Sequence, residues 1–313
     1  KTRSTIRKLH EIVIPLYESY VEKRYTRPML GGSNKKVAST PTSVAPMLSS
    51  VAGQQVVARR FMAAADLPDL WDDAWAPSAT PWATSISPGL TGLVAPNPRY
   101  QATGLRWPAA FGSGGVTAEM AMAYESAECL QMIVVRGGYA ADAVEQFRTD
   151  EIGDFDKDGA PEFHDGWGRP ISFIRWPAGF QSPIQPQLQD DPPDPMDPLG
   201  ATRLTGSSLF NFQGTDRALT PLIYSGGPNN SLDMDVTATS GGYGLVTSRE
   251  ALGGGWQNSG WINPASSAKY DFTTTRWPPT PEGVSSGPVI WAGWKKDRSQ
   301  AADNITNHDL VTK

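Results

Sequence analysis

The residues whose types and spacing suggest chemistry most directly form one short run. It reads Asp154-Phe155-Asp156-Lys157-Asp158-Gly159, followed by Glu162 and Asp165. With Asp154 as position one, oxygen ligands fall at one, three and five, and Gly159 stands at six, where a sharp turn is needed. The Ala160 carbonyl falls at seven, Glu162 at nine and Asp165 at twelve. Calcium takes roughly six to eight hard oxygens from a tightly wound loop, and this spacing supplies them. Two features depart from a helix–loop–helix calcium site: Asp165 has a shorter arm than the usual Glu, and Pro161 at position eight has no amide proton. A strand, not a helix, is predicted to follow. The run reads as half of such a site set into another fold, with calcium as the expected ion. The plain alternative is a solvated acidic turn.

Catalytic chemistry finds little support, and the chain is not expected to be an enzyme. The three histidines, His10, His164 and His308, have neither metal-pair spacing nor a recognisable nucleophile partner. His164 is expected in the acidic loop and His308 at the surface. Ser113, in Gly112-Ser113-Gly114-Gly115, lacks the strand-to-helix setting of a hydrolase elbow, and that glycine run lacks a phosphate-loop lysine. The acidic pair Asp190-Asp191 adjoins several prolines in a stretch through Pro198 that reads as an exposed loop. Catalytic acids need a more rigid frame. Cys129, the one cysteine, excludes an intramolecular disulfide and reads as a buried helical thiol.

The acidic run leads directly into Asp165-Gly166-Trp167-Gly168-Arg169-Pro170-Ile171. Asp-x-Trp-Gly-x-Pro before an apolar strand resembles the signature of the type II secretion pseudopilins. Two later segments match in the same order. Tyr224-Ser225-Gly226-Gly227-Pro228-Asn229 is similar to the family's Ser-x-Gly-x-Asp turn, and Asp303-Asn304-Ile305-Thr306-Asn307 to its closing Asp-Asp-Ile-Thr-Asn. The likeness covers the N-terminal helix and scattered pieces of the last half. It implies a cleaved leader and an apolar helix upstream of Lys1, anchoring the subunit in the inner membrane and packing it in a filament with copies of itself and other pseudopilins. The implied location is periplasmic or extracellular. The resemblance also implies a second calcium site between the Ser-x-Gly turn and the closing segment, with Asn229 and Asp303 as ligands beside nearby backbone carbonyls. Asn229 stands where the family has Asp, and Asn304 replaces one acid of the closing pair; both changes remove charge.

The elements that must position these residues follow from periodicity. Residues Lys1 to Arg24 read as an amphipathic helix, with Ile6, Leu9, Val13, Leu16 and Tyr20 at three- and four-residue steps and Pro15 inside the pattern. It has no N-cap, and basic residues crowd its first turns, which suits a helix continuing upstream. Helices are also predicted at Val51 to Ala65, Thr117 to Met132 and Ala140 to Arg148. Asp66 to Gly115 reads as an irregular insertion packed through Trp71, Trp75, Trp82 and Trp107. Short strands are expected at Ile171 to Trp176, where Trp167 would anchor the first, and at Leu222 to Tyr224. The fold class expected is α+β: a long N-terminal helix packed on a small antiparallel sheet, with long loop-rich insertions. Three regions are expected: a helical stem, 1–28; a loop-rich and helical insertion, 29–150; and a β-rich part with the calcium loop, 151–313.

Composition agrees with that outline. The chain of 313 residues is 39% hydrophobic and only 19% charged, with 31 Gly and 27 Pro, a mixture suited to a folded chain with much turn and loop. Its 27 basic and 32 acidic residues give a net charge of −5, against the basic face that a nucleic-acid partner requires. Two readings stand: a calcium-stabilised filament subunit, and an extracellular calcium-dependent adhesion or carbohydrate-binding module. A prepilin leader upstream of Lys1 favours the first and a Sec signal peptide the second.

Overall fold

The fold is an α+β mix of an N-terminal helix and small antiparallel sheets. The computed structural model describes residues 1–23, 50–69, 74, 97–100, 124–137, 143–155, 157, 159–177, 180, 182–185, 194–200, 218–228, 234–235, 244–245, 261–262, 294–295 and 303–311. Trp71, Trp75, Trp82, Trp107, Ser113, Thr117, Asp190 and Asp191 lie outside the described residues.

The first helix, α1 (Thr2–Glu22), runs through Pro15, which lies on its exposed side. The three- and four-residue apolar steps bury Ile6, Leu9, Val13, Leu16 and Tyr20 along one stripe. No side chain caps its start. The second helix, α2 (Val51–Asp66), begins where Ser50 accepts a hydrogen bond from the Gly53 amide at 2.9 Å. It stops before Pro68, whose ring disfavours helical backbone at Leu67. The third, α3 (Glu125–Arg136), runs four residues past the predicted end at Met132. Glu125 and Glu128 in its first turn and Arg136 in its last complement the helix dipole. Residues 125–134 are buried on every face, so α3 is a central helix and the Cys129 thiol lies deep inside.

The described part of the helix predicted at Ala140 to Arg148, residues 143–148, is not helical in that way. A short 3₁₀ turn forms at Val144–Gln146, and a second, Thr149–Glu151, follows the predicted end. Between them Phe147 and Arg148 are extended, which carries the Phe147 ring onto Phe163 at 4.4 Å. Burying that aromatic outweighs the modest helix propensity of the segment.

The strands are β1 (Ile152–Gly153), β2 (Glu162–Phe163), β3 (Ser172–Ile174), β4 (Leu222–Ser225), β5 (Met234–Asp235), β6 (Gly244–Leu245), β7 (Trp261–Ile262), β8 (Trp294–Lys295) and β9 (Ile305–Thr306); α4 (His308–Val311) follows. The three-stranded sheet has the order β3-β4-β9, antiparallel throughout, with Phe173 opposite Ile223 and Tyr224 opposite Thr306. β1 pairs with β2 across the acidic loop. Leu9 and Val13 of α1, Val56 of α2, Leu130 and Ile133 of α3, and Phe173 and Ile223 of the sheet belong to one core cluster. Each such side chain contributes about 1.5–3 kcal/mol by leaving water.

Two buried ion pairs border that core. Arg60 on α2 pairs with Asp194, and Arg175 pairs with Asp69 at 3.1 Å while donating to the Leu67 carbonyl at 2.8 Å. Both guanidinium groups lie over the Trp176 ring, at 5.4 and 4.2 Å from its centroid. The expectation of an exposed acidic loop through Pro198 is corrected in part: Pro195 and Pro198 are exposed, but Asp194, Met196 and Asp197 are buried, and Arg60 supplies the charge that lets Asp194 leave water.

Candidate functional site

Antiparallel pairing of Ile152 with Phe163 and Gly153 with Glu162 makes residues 154–161 the loop of a hairpin. Lys157 has φ 64° and Gly159 φ 100°, so the chain turns left-handed twice within three residues. Nothing lies within 4 Å of a Cβ built at Gly159; the backbone angle, not crowding, selects glycine there. The Gly159 amide donates to Asp154 Oδ2 at 3.0 Å, and the Phe155 amide donates to Glu162 Oε2 at 2.9 Å. Ala160 and Glu162 are buried while Asp154 is exposed, so the loop runs from solvent into the protein. His164 Nε2 lies 3.7 Å from Glu162 Oε2. The loop residue of the sequence reading is thus half-buried, in a bridge with Pro170.

Asp156 and Asp158, two of the five carboxylates expected to hold calcium, lie outside the described residues. Among the described residues no three His, Cys, Asp or Glu side chains are gathered to hold a metal ion. Asp154 and the Ala160 carbonyl belong to the hairpin loop and Glu162 opens β2; all three are hard oxygen donors, the kind calcium takes.

Asp165 is committed elsewhere. It is fully buried, and its Oδ1 accepts from the amides of Trp167 at 2.8 Å and Arg169 at 3.0 Å. Its Oδ2 accepts from the Ser225 hydroxyl at 2.7 Å, at the end of β4. A carboxylate has about four acceptor positions, and three are engaged. Asp165 therefore shapes the Trp-Gly turn and clips it to the middle strand. Trp167 does not anchor the strand through its ring, which is 47% exposed; its backbone amide makes the fixed contact. Phe155, 44% exposed, belongs to the acidic loop itself, its ring edge-on to His164 at 6.3 Å.

The three motif segments meet around this clip. The Gly166 amide donates to Thr2 Oγ1 at 2.8 Å, tying the turn to the start of α1. Arg169 Nη1 donates to the carbonyls of Gly227 at 3.2 Å and Pro228 at 3.4 Å. Gly227 has φ 69°, and a Cβ there would come 2.5 Å from the Asp303 carbonyl oxygen. Asp303 is half-buried beside that turn, while Asn229 lies outside the described residues. Of the donors expected for the second calcium site, the turn's carbonyls of Gly227 and Pro228 accept from Arg169, while Asp303 Oδ1 is buried with no hydrogen-bond partner among the described residues.

The sequence motifs include Arg169 and Ser225 but assign them no role, and Thr2 and Glu151 carry no signal in the sequence. Glu151 is buried beneath α1, accepting from Thr5 Oγ1 at 2.6 Å, Lys8 Nζ at 2.8 Å and the Arg148 amide at 2.8 Å. Burial alone would raise its pKa, but the Arg148 amide, Lys8 and Thr5 together hold it below the ordinary carboxylate value. The available signal for the clip was an Asp followed by glycines, a common hydrogen-bonded turn. His308, expected at the surface, is buried. Ser182 and the carbonyls of Thr220 and Pro221 satisfy both ring nitrogens, which is what permits it.

No family model, curated protein or solved structure matches this chain.

Proposed function

We propose that this chain is the part of a pseudopilin-type filament subunit that lies beyond its membrane helix, acting by assembly and not by catalysis. In this reading α1 is the end of a longer helix, laid on the β3-β4-β9 sheet, and the remaining segments are insertions. The observation that carries it is the meeting of three segments far apart in sequence. The Trp-Gly turn, the Ser-Gly-Gly turn and the closing Asp-Asn-Ile-Thr-Asn converge through Asp165–Ser225, Arg169–Gly227 and Gly227–Asp303. The loop that begins at Asp154 holds one structural calcium ion through Asp154, Asp156, Asp158, the Ala160 carbonyl and Glu162. Asp165 fixes the end of that loop. The subunit is anchored in the inner membrane before assembly and works in the periplasm or outside the cell.

The residues encoded before Lys1 test this directly. The reading expects about 20 consecutive apolar residues, enough to cross a bilayer, behind a short cleavable leader. A polar upstream sequence removes it. A Sec signal peptide instead supports the calcium-dependent binding module, which the exposed Phe155 of the loop and Trp167 just beyond it would suit as stacking surfaces.

A further inference from the structure

The charges of α1 are sorted along its axis. Arg3, Arg7 and Lys8 lie toward its start, and Glu11, Glu18 and Glu22 follow toward its end. Arg3 and Arg7 stand four apart on one side of the helix, both exposed, and neither makes an ion pair with the described residues. The other bases at this end are already paired: Lys8 with Glu151, and Lys1 and Arg148 together with Asp150. The chain as a whole has a net charge of −5, yet the start of α1 is basic.

An exposed tryptophan is fixed at the same end. The Gly166 amide donates to Thr2 Oγ1 at 2.8 Å, and a Cβ built at Gly166 would lie 3.5 Å from Lys1 Cβ, so the Trp-Gly turn sits against the first turn of α1. The Trp167 amide is held by Asp165, while the residue is 47% exposed. The acidic loop leaves the β1-β2 hairpin at its other end, past Gly153 and Glu162. A large amphipathic ring beside unpaired guanidinium groups suits a lipid interface. Indole settles at the level of the headgroups, and arginines near the surface attract anionic phosphates.

We infer that the start of α1 and the Trp-Gly turn together form a docking face for an anionic phospholipid bilayer. Charge complementarity selects this partner. With that end toward the bilayer, Glu11 stands about 12 Å and Glu18 about 22 Å along the axis from Arg3, at roughly 1.5 Å per residue. Salt screens charges over about 8 Å at physiological ionic strength, so the acids at the far end are shielded from the surface that the arginines touch. The order of charges along α1 therefore orients the molecule, and Trp167 adds an apolar hold that salt does not screen. The docking needs no segment upstream of Lys1 and does not rest on the filament reading.

The test is co-sedimentation of the chain Lys1–Lys313, without calcium, with vesicles of phosphatidylcholine alone and of equal parts phosphatidylcholine and phosphatidylglycerol. At low ionic strength the native chain is expected to bind the mixed vesicles and not the neutral ones, and binding should weaken as salt is added. R3Q/R7Q should bind roughly 30-fold more weakly, at about fivefold for each arginine near the surface. E18Q/E22Q changes the net charge by as much at the far end and should stay within about twofold of the native chain. When the mixed vesicles carry brominated acyl chains, they should quench tryptophan fluorescence in the native chain and much less in Trp167→Ala, whose folding is checked by circular dichroism. No binding to the mixed vesicles overturns the inference, and so does equal binding to the neutral ones. It is also overturned if R3Q/R7Q binds like the native chain, if E18Q/E22Q gains as much as R3Q/R7Q loses, or if quenching is unchanged in Trp167→Ala. The upstream sequence tests the filament reading separately, and neither result there alters these outcomes.

Discussion

His308 is built to stay neutral. Its Nε2 faces the carbonyls of Thr220 at 3.2 Å and Pro221 at 3.3 Å, so that nitrogen carries the proton and Nδ1 accepts from the Ser182 hydroxyl at 2.8 Å. Burial pushes its pKa down to about 4, against the opposing pull of the two carbonyls. As pH falls the unfolded chain takes up this proton first. The stability contributed is complete above the unfolded value near 6.5 and is lost progressively toward 4. The full loss is on the order of 3 kcal/mol. His10, lowered chiefly by burial, adds to the slope in the same direction. Glu151 acts further into acid: its depressed folded pKa stabilises above the unfolded carboxylate value, and that contribution is lost as pH falls through the folded value. Urea unfolding at pH 7 and pH 5 should show the native chain losing stability on acidification, with most of that difference absent in His308→Gln. An equal loss in the variant would place the sensitivity elsewhere. None of this was legible from His308-Asp309 in the sequence, because the partners come from residues 182, 220 and 221.

At the scale of elements, the acidic hairpin and the glycine turn make separate predictions. Carboxylates crowded in one loop repel one another, and a divalent ion removes that repulsion. Calcium should raise the melting temperature, with a stabilisation of about 2.7 kcal/mol at a hundredfold excess over Kd. Magnesium should substitute poorly, because it prefers a small octahedral shell and keeps its waters. Asp156→Ala should remove the calcium-dependent part of the shift; calorimetry showing no binding at millimolar calcium would reduce the loop to an acidic turn. The Gly227 turn needs no ion. Gly227→Ala combines a left-handed backbone with a Cβ 2.5 Å from the Asp303 carbonyl, and should cost at least about 1–3 kcal/mol, read as a lower urea midpoint. A midpoint unchanged by that substitution would mean the closing segment does not pack there. The helices α1 and α2 were legible because apolar period and, for α2, the Ser50 cap agree. Residues 144–151 were not, since the choice between helix and turn there depends on where the Phe147 ring is buried, a long-range contact.

For the whole molecule, the sequence suggested a stem, an insertion and a β-rich part, and motif order alone pointed to segments that now lie together. What local pattern could not show is how these regions share an interior. Asp165 reads as a loop acid by spacing but is buried against Ser225, 60 residues away, and Asp194 reads as solvated but meets Arg60. Leu9, Val56, Leu130 and Phe173 belong to one core cluster, drawn from all three expected regions. A shared core predicts shared unfolding. Leu9→Ala in α1 should lower stability by about 2–5 kcal/mol, with Val56→Ala in α2 acting in the same direction. Each kcal/mol should move the melting temperature by roughly 1.5 °C in a chain of this length, at about 2.1 cal/mol/K of unfolding entropy per residue. Each substitution should shift helix melting, followed by circular dichroism, and tertiary melting, followed by tryptophan fluorescence, by the same amount. Independent units behave otherwise. If Val56→Ala lowers a separate early transition while the main one stays in place, α2 and the insertion around it fold apart from the stem and sheet. Coincident shifts mean that the β3-β4-β9 sheet and its turns keep their geometry only while α1, α2 and α3 remain packed around it.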